Sequence, residues 1–182
     1  MYVSNVSADG YIEDEHGSFD WTAPDDELFA FITDLVRPVG THLYGRRLYQ
    51  TMSPWETDPT LAAQSKLMAD FASVWQAADK VVYSTTLDAV STAKTRLERT
   101  FDPVAVRDMK ASATSDLIVG GGHLAAHALK SGLVDECHLL IRPILVGAGK
   151  PALPSHVRTD LELLDERHVS NGVMYLRYRV LI

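Results

Sequence analysis

The sequence predicts an α/β fold built on a mixed, mostly parallel sheet with helices on both faces. Three observations carry that expectation. Short β-prone apolar runs alternate with longer segments of helical periodicity through the body of the chain. Within Asp116–Leu129, the run Leu117-Ile118-Val119 passes through Gly120-Gly121-Gly122 into a helical pattern of Leu124, Ala125, Ala128 and Leu129. Near the end, Asn171-Gly172 separates two alternating segments, a strong hairpin signal.

The elements follow in order. Tyr2–Ser7 alternates and is β-prone, and Asp9-Gly10 then supplies turn chemistry. Residues 13–20 are polar and read as a mobile loop. Thr22 is a candidate cap for a helix with Pro24 in its first turn and Asp25, Asp26 and Glu27 at the positive end of its dipole. Leu28, Phe31, Ile32 and Leu35 mark its buried side, and Pro38 closes it. Thr41–Tyr44 is a second strand, running into Gly45-Arg46-Arg47 and a short helix. Residues 53–59 read as a loop, 61–77 as one helix, and 80–83 as a strand ending in Ser84-Thr85-Thr86. A short strand is expected at 95–99 and a helix at 103–113. Gly132 ends the helix that follows the three glycines. Residues 136–146 form a long strand with Pro143 interrupting it, and 147–151 are a second glycine-rich loop. The terminal hairpin pairs 161–168 with 173–181.

The 182 residues suffice for one domain, expected over 1–182. A net charge of −7 argues against nucleic acid as the main partner, while leaving room for a local basic cluster that binds phosphate. A single cysteine, Cys137, permits no internal disulfide and makes a reducing compartment the default. No apolar run reaches membrane-spanning length, and the first residues lack the basic and apolar regions of a signal peptide. The cytoplasm is the expected compartment, with no membrane partner.

The strand–glycine–helix passage is the organising stretch. It leaves backbone N–H groups unpaired at a helix start with no Cβ in the way, which suits an anion such as phosphate. Gly120-x-Gly122-x-x-Ala125 even fits a dinucleotide fingerprint with Ala last. Alone, the same pattern also suits a tight turn that packs a helix on a strand.

Several motifs together resemble the dihydrofolate reductase-like superfamily. In order they are Asp9-Gly10-Tyr11-Ile12, Gly45-Arg46-Arg47-Leu48-Tyr49, Ser84-Thr85-Thr86, Val119 through Gly122, residues 132–136 and residues 143–149. The likeness is greatest to the reductase domain of the bifunctional riboflavin-biosynthesis deaminase–reductase, as a stand-alone domain. No deaminase signature of His-x-Glu with Pro-Cys-x-x-Cys is present. The resemblance implies a three-layer αβα fold, a homodimer, and an NADPH-dependent reductase of the dihydrofolate or 5-amino-6-(5-phosphoribosylamino)uracil type. It places cofactor contacts at Gly45, Arg46 and Arg47, at Ser84, Thr85 and Thr86, and at Gly120, Gly121, Gly122, His123 and Leu124.

The residue chemistry is consistent with those roles. Guanidinium groups bind phosphate bidentately, so Arg46 and Arg47 suit an adenosine 2′-phosphate and favour NADPH over NADH. The hydroxyls at 84–86 follow a strand's C-terminal end, where ligands of open α/β sheets gather. His123 and His127 lie four apart, but Leu124 stands where a zinc protease needs Glu and no third ligand is suggested, so no metal is expected. His123 could instead touch the pyrophosphate. Trp21-x-x-Pro24-x-Asp26 resembles the stretch that carries the pterin-pairing acid of dihydrofolate reductases, making Asp26 the candidate proton source, with Asp25 and Glu27 as alternatives. The expected reaction is hydride transfer to a carbonyl or imine of a small pterin-, pyrimidine- or sugar-like substrate. A nucleotide-binding sensor that kept the cradle without turnover is the rival reading. A different doubly wound flavin or NADH enzyme would carry its glycine fingerprint early, and here it comes late.

Overall fold

The computed structural model describes residues 1–181. The chain forms two compact units, one of Met1–Leu28 with Gly122 onward, the other of Phe29–Gly121.

The Phe29–Gly121 unit holds four parallel strands in the order β5-β4-β3-β6: β3 (Val39–Gly45), β4 (Asp79–Tyr83), β5 (Thr95–Glu98) and β6 (Asp116–Gly120). Their connections carry α2 (Arg46–Met52), α3 (Pro54–Thr57), α4 (Pro59–Ala63), α5 (Lys66–Ala77) and α6 (Pro103–Ser112). The central strands are apolar on both faces, as parallel strands covered by helices must be. Val81 and Val82 are fully buried, with Leu43, Tyr44, Ile118 and Val119 beside them. Helix α5 closes this core with Phe71, Ala72 and Trp75.

Residues 53–77 depart from the expected loop and single helix. Pro54 and Pro59 each start a short helix, because proline at N1 loses no hydrogen bond. The expected long helix breaks at Ser65, whose Oγ accepts from the Met68 N–H and restarts it as α5. Trp55 on α3 packs on Phe29 and Phe71, with ring centroids 5.9 and 4.7 Å away.

The other unit pairs β1 (Tyr2–Ser7), β7 (Glu136–Arg142), β10 (Met174–Leu181) and β9 (Asp160–His168) in the order β1-β7-β10-β9. β1 and β7 run parallel, and β10 is antiparallel to both of its neighbours. The expected hairpin is present, with Asn171 and Gly172 both at positive φ. A small antiparallel pair joins β2 (Tyr11–Asp14) to β8 (Gly149–Pro151), where residues 13–20 and 147–151 read as loops. A Cβ on Gly149 would stand 1.9 Å from the Glu13 carbonyl oxygen, so only glycine lets these segments pair. β7 ends at Arg142, since Pro143 has no N–H to continue a ladder. Helix α7 (Gly122–Lys130) stops at Gly132, φ +63, where the Leu133 N–H bonds back to the Ala128 carbonyl.

Helix α1 (Asp26–Val36) begins later than expected. Asp25, rather than Thr22, caps it, accepting the Leu28 N–H at 2.9 Å; Thr22 belongs to a preceding 3-10 turn.

A buried polar chain runs through the Phe29–Gly121 core. Trp75 Nε1 donates to Tyr44 Oη at 3.1 Å, and the Tyr44 hydroxyl lies 2.9 Å from His42 Nδ1. The His42 ring is buried and its Nε2 has no partner among the described residues, surroundings that favour the neutral imidazole. Burial first, then the Lys80 charge on the next strand, pull the His42 pKa down to about 4. The unfolded chain therefore takes up a proton that the folded chain refuses. Stability present above pH 6.5 is lost as pH falls toward 4, by roughly 3 kcal/mol from this residue alone. An NMR titration is expected to place the His42 imidazole near pH 4, with urea midpoints falling through the same window; a normal histidine titration near 6.5 would contradict this.

Candidate active site

Three strand ends meet in the Phe29–Gly121 unit. The parallel register sets Gly45 opposite Tyr83 and Tyr44 opposite Gly120, so β3, β4 and β6 finish level. Arg46-Arg47 leaves the first, Ser84-Thr85-Thr86 the second and Gly121 the third. Such ends are where open α/β sheets collect ligands. Arg46 Nη1 donates to Thr86 Oγ1 at 3.0 Å, and both side chains are exposed. Arg47 and Thr85 are exposed beside them.

The loop after β4 is fixed from within. Ser84 is buried, its Oγ accepting from the N–H groups of Thr86 at 3.2 Å and Leu87 at 2.9 Å. Its hydroxyl oxygen is thus spent on shaping the loop, leaving Thr85 and Thr86 as the outward hydroxyls. Arg99 Nη1 donates to the Ser84 and Leu87 carbonyls at 3.1 and 2.6 Å. Arg99 was not singled out from the sequence, because nothing in a short, weakly patterned strand signals that its next residue reaches back to another loop. Tyr49 on α2 ties the same connection, its hydroxyl accepting the Ser91 N–H at 2.7 Å.

Gly120 lets α2 approach the end of β6. A Cβ there would lie 2.4 Å from Leu48 Cδ2 and 3.2 Å from the Tyr44 ring. Gly121 adopts φ +86, a conformation that L side chains rarely take. The chain then enters α7 at Gly122, in the other unit.

In that unit Gly122 is buried, and an added Cβ would stand 3.0 Å from Ile12 Cδ1 and 3.1 Å from the Pro151 carbonyl. Leu124 and Ala125 face the core, so only the Leu124 backbone could serve a ligand. His123 is exposed and, with Gly122, His127, Lys130 and Lys150, lines a cavity of about 300 Å³. The two imidazoles stand 5.9 Å apart, and Lys150 pairs with Glu13 at 2.9 Å.

The acids divide clearly. Asp25 caps α1 and also accepts from Ser170 Oγ at 2.9 Å and Asn171 Nδ2 at 2.5 Å. The Leu28 N–H, then Ser170, hold it below the usual carboxylate range, with Arg142 adding to the shift. Asp26 is exposed in the first turn of α1. Asp9 is more than a turn-former: its carboxylate accepts from Ser7 Oγ at 2.6 Å and from the Gly147 N–H at 2.7 Å, pinning the second glycine-rich segment. The structure therefore gathers Gly45, Arg46, Arg47, Ser84, Thr85, Thr86, Gly120 and Gly121 at adjacent strand ends. Gly122, His123, Leu124 and Asp26 belong to the other unit.

Residues 1–175 match the family described as the RibD C-terminal domain. The chain belongs to that family. A Bacillus subtilis protein of uncharacterised role, YyaP, is 28% identical over 95% of this chain and 90% of its own length. Among solved structures, a Shewanella sp. PV-4 protein provisionally assigned to riboflavin biosynthesis superposes with a TM-score of 0.76 at 21% identity, covering 100% of this chain and 98% of that one. A Corynebacterium diphtheriae pyrimidine reductase-like protein gives 0.63 at 15% identity over 100% and 91%. A Thermotoga maritima deaminase/5-amino-6-(5-phosphoribosylamino)uracil reductase gives 0.66 at 13% identity, covering 99% of this chain and 56% of that larger one. The fold is thus the dihydrofolate reductase-like αβα class that the motifs suggested, and the family supports an oxidoreductase-type function with a nicotinamide cofactor. No described helix is long and apolar enough to cross a membrane.

The positive φ at Gly121 sets a cost on any side chain there. Gly121→Ala is expected to lower the unfolding free energy by about 1–2 kcal/mol, read from urea midpoints; an unchanged midpoint would contradict the strain.

Proposed function

We propose that this protein is an NADPH-dependent reductase acting on a carbonyl or imine of a small pyrimidine- or pterin-like heterocycle. The observation that carries the reading is the Arg46–Thr86 contact at the level ends of β3 and β4, beside Gly120 and Gly121. An exposed guanidinium next to hydroxyls fits a 2′-phosphate, which NADPH has and NADH lacks. Arg46, Arg47, Thr85 and Thr86 would hold that phosphate. Bound there, the nicotinamide cofactor supplies the hydride.

The chain's own residues orient the partners and move a proton. Asp25 is committed to capping and to Ser170, and its lowered pKa makes it a poor acid at neutral pH. Asp26, one residue on and exposed, is the carboxylate free to relay a proton, directly or through water, to the reduced atom. The substrate is a small molecule rather than nucleic acid or membrane, and a homodimer is the proposed assembly. A nucleotide sensor without turnover remains the rival, which NADPH oxidation in a panel of heterocyclic carbonyls and imines separates.

Arg46→Leu is expected to weaken NADPH binding about 10- to 100-fold while leaving NADH within about twofold, measured by calorimetry. Equal losses for both cofactors would sink the 2′-phosphate assignment. Asp26→Asn is expected to lower kcat about 100-fold at an unchanged melting temperature. Asp25→Ala should do the reverse, losing about 1 kcal/mol of stability with its cap. Exchanged phenotypes would assign the proton to Asp25.

A further inference from the structure

One ammonium in the Phe29–Gly121 unit is enclosed without a hydrogen bond. The Lys80 side chain on β4 is fully buried, and its Nζ has no hydrogen-bond partner among the described residues. It rests 4.4 Å over the Trp75 ring of α5 and 3.9 Å from Glu56 Oε2 on α3. That carboxylate oxygen is buried too, and among the described residues it accepts no hydrogen bond. Burial pulls the Lys80 pKa down, and the Glu56 charge is the largest influence against that shift. The two charges therefore compensate each other inside the unit.

The other oxygen of the same carboxylate leads to the cofactor end. Glu56 Oε1 accepts the Ala93 N–H at 2.6 Å. Ala93 lies in the connection from β4 to β5, the segment that starts with Ser84, Thr85 and Thr86. Its neighbours are tied to α2, because Tyr49 Oη accepts the Ser91 N–H at 2.7 Å and lies 3.0 Å from Thr92 Oγ1. Helix α2 opens with Arg46 and Arg47. The Lys80 N–H adds a bond to the Lys94 carbonyl at 2.8 Å, where Lys94 stands at φ +50. Ser84 and Arg99 give the near half of the connection its shape. The bonds of Tyr49 and Glu56 set the place of its far half against α2 and α3.

Resting on the reductase reading above, we infer that Lys80 and Glu56 are positioning residues for the cofactor's 2′-phosphate. The enclosed ammonium keeps the carboxylate on the Ala93 N–H, and that anchor sets Thr85 and Thr86 against Arg46 and Arg47. A carboxylate accepts an N–H more strongly than a neutral amide does. Buried, it needs its counter-charge: removing one member of such a pair leaves the other uncompensated, whereas removing both can be neutral. The pair acts through the 84–94 connection and not by touching the nucleotide. Its loss therefore falls on the 2′-phosphate and spares the rest of the cofactor.

The test uses the full chain and calorimetry with NADP⁺ and NAD⁺, at a temperature where near-UV circular dichroism shows each variant folded. Lys80→Met removes the ammonium and keeps most of the aliphatic length. Glu56→Gln removes the charge and keeps an acceptor for the Ala93 N–H. Each single variant is expected to weaken NADP⁺ roughly 5- to 10-fold and to leave NAD⁺ within about twofold. The double variant, with neither charge left alone, is expected to return to within about twofold of wild type. Amide NMR of the free protein reads the same cycle without ligand. The Thr85, Thr86 and Ala93 resonances should move in each single variant and move back in the double. If Lys80→Met does not fold, Glu56→Gln set against the double variant gives the same comparison. Equal losses for NADP⁺ and NAD⁺, a lower melting temperature with unchanged NADP⁺ affinity, or a double variant as weak as the singles would overturn the inference and leave the cofactor assignment standing. Wild-type protein that binds no NADP⁺ would overturn both.

Discussion

The packing of Leu48 against Gly120 is the contact on which the cofactor end depends. Leu48 occupies the space a Cβ would need, so α2 can settle on the end of β6 only because residue 120 is glycine. That approach brings the segment bearing Arg46 and Arg47 to the turn at Gly121. The parallel register of β3 with β4 and β6 does the rest, bringing three loops to one edge of the sheet. The strand core beneath them is fully buried at Val81 and Val82. The loops are then trimmed by polar staples: Ser84 within its own turn, Arg99 just past the end of β5, and Tyr49 from α2.

Much of this was legible in the sequence because it is periodic or punctuated. The strands at 2–7, 39–45, 79–83 and 116–120 have β-prone, apolar runs, and the Asn171-Gly172 turn can hardly be anything but a hairpin. The glycine-rich passage and the arginine pair were visible as local chemistry. What the sequence hid was set by distant partners. Asp25 outcompetes Thr22 as the α1 cap because Ser170 and Asn171, far along the chain, orient it. β8 is a strand only because β2 lies beside it, and a three-residue strand has no period of its own. Residues 53–65 form separate helical turns because two prolines and Ser65 each act as a start signal, where the sequence suggested a loop over 53–59 and one helix from 61. Arg99 and Arg142 carry no motif; their meaning comes entirely from the carbonyls they reach.

The charged and polar residues divide by what they touch. Asp9, Asp25, Ser84 and Arg99 have hydrogen bonds within the protein that account for their positions. His42 and Lys80 are buried in the core, where desolvation lowers both pKa values and the Lys80 ammonium rests over the Trp75 ring at 4.4 Å. Arg46, Thr86 and Asp26 are exposed, and Arg142 and Trp21 keep buried donors that no described residue accepts. Interactions within the protein account for the first two groups. Binding and proton transfer account for Arg46, Thr86 and Asp26, which is why the residues proposed to touch cofactor or substrate are exposed ones.

The account turns on whether the level ends of β3, β4 and β6 hold a 2′-phosphorylated adenosine. Amide NMR of the ¹⁵N-labelled protein titrated with adenosine 2′,5′-bisphosphate tests this without any need for a substrate. Shifts concentrated at Arg46, Arg47, Thr85, Thr86 and Gly121, and much weaker with adenosine 5′-monophosphate, are the predicted result. Shifts absent from these residues, or equal for the two nucleotides, would contradict it.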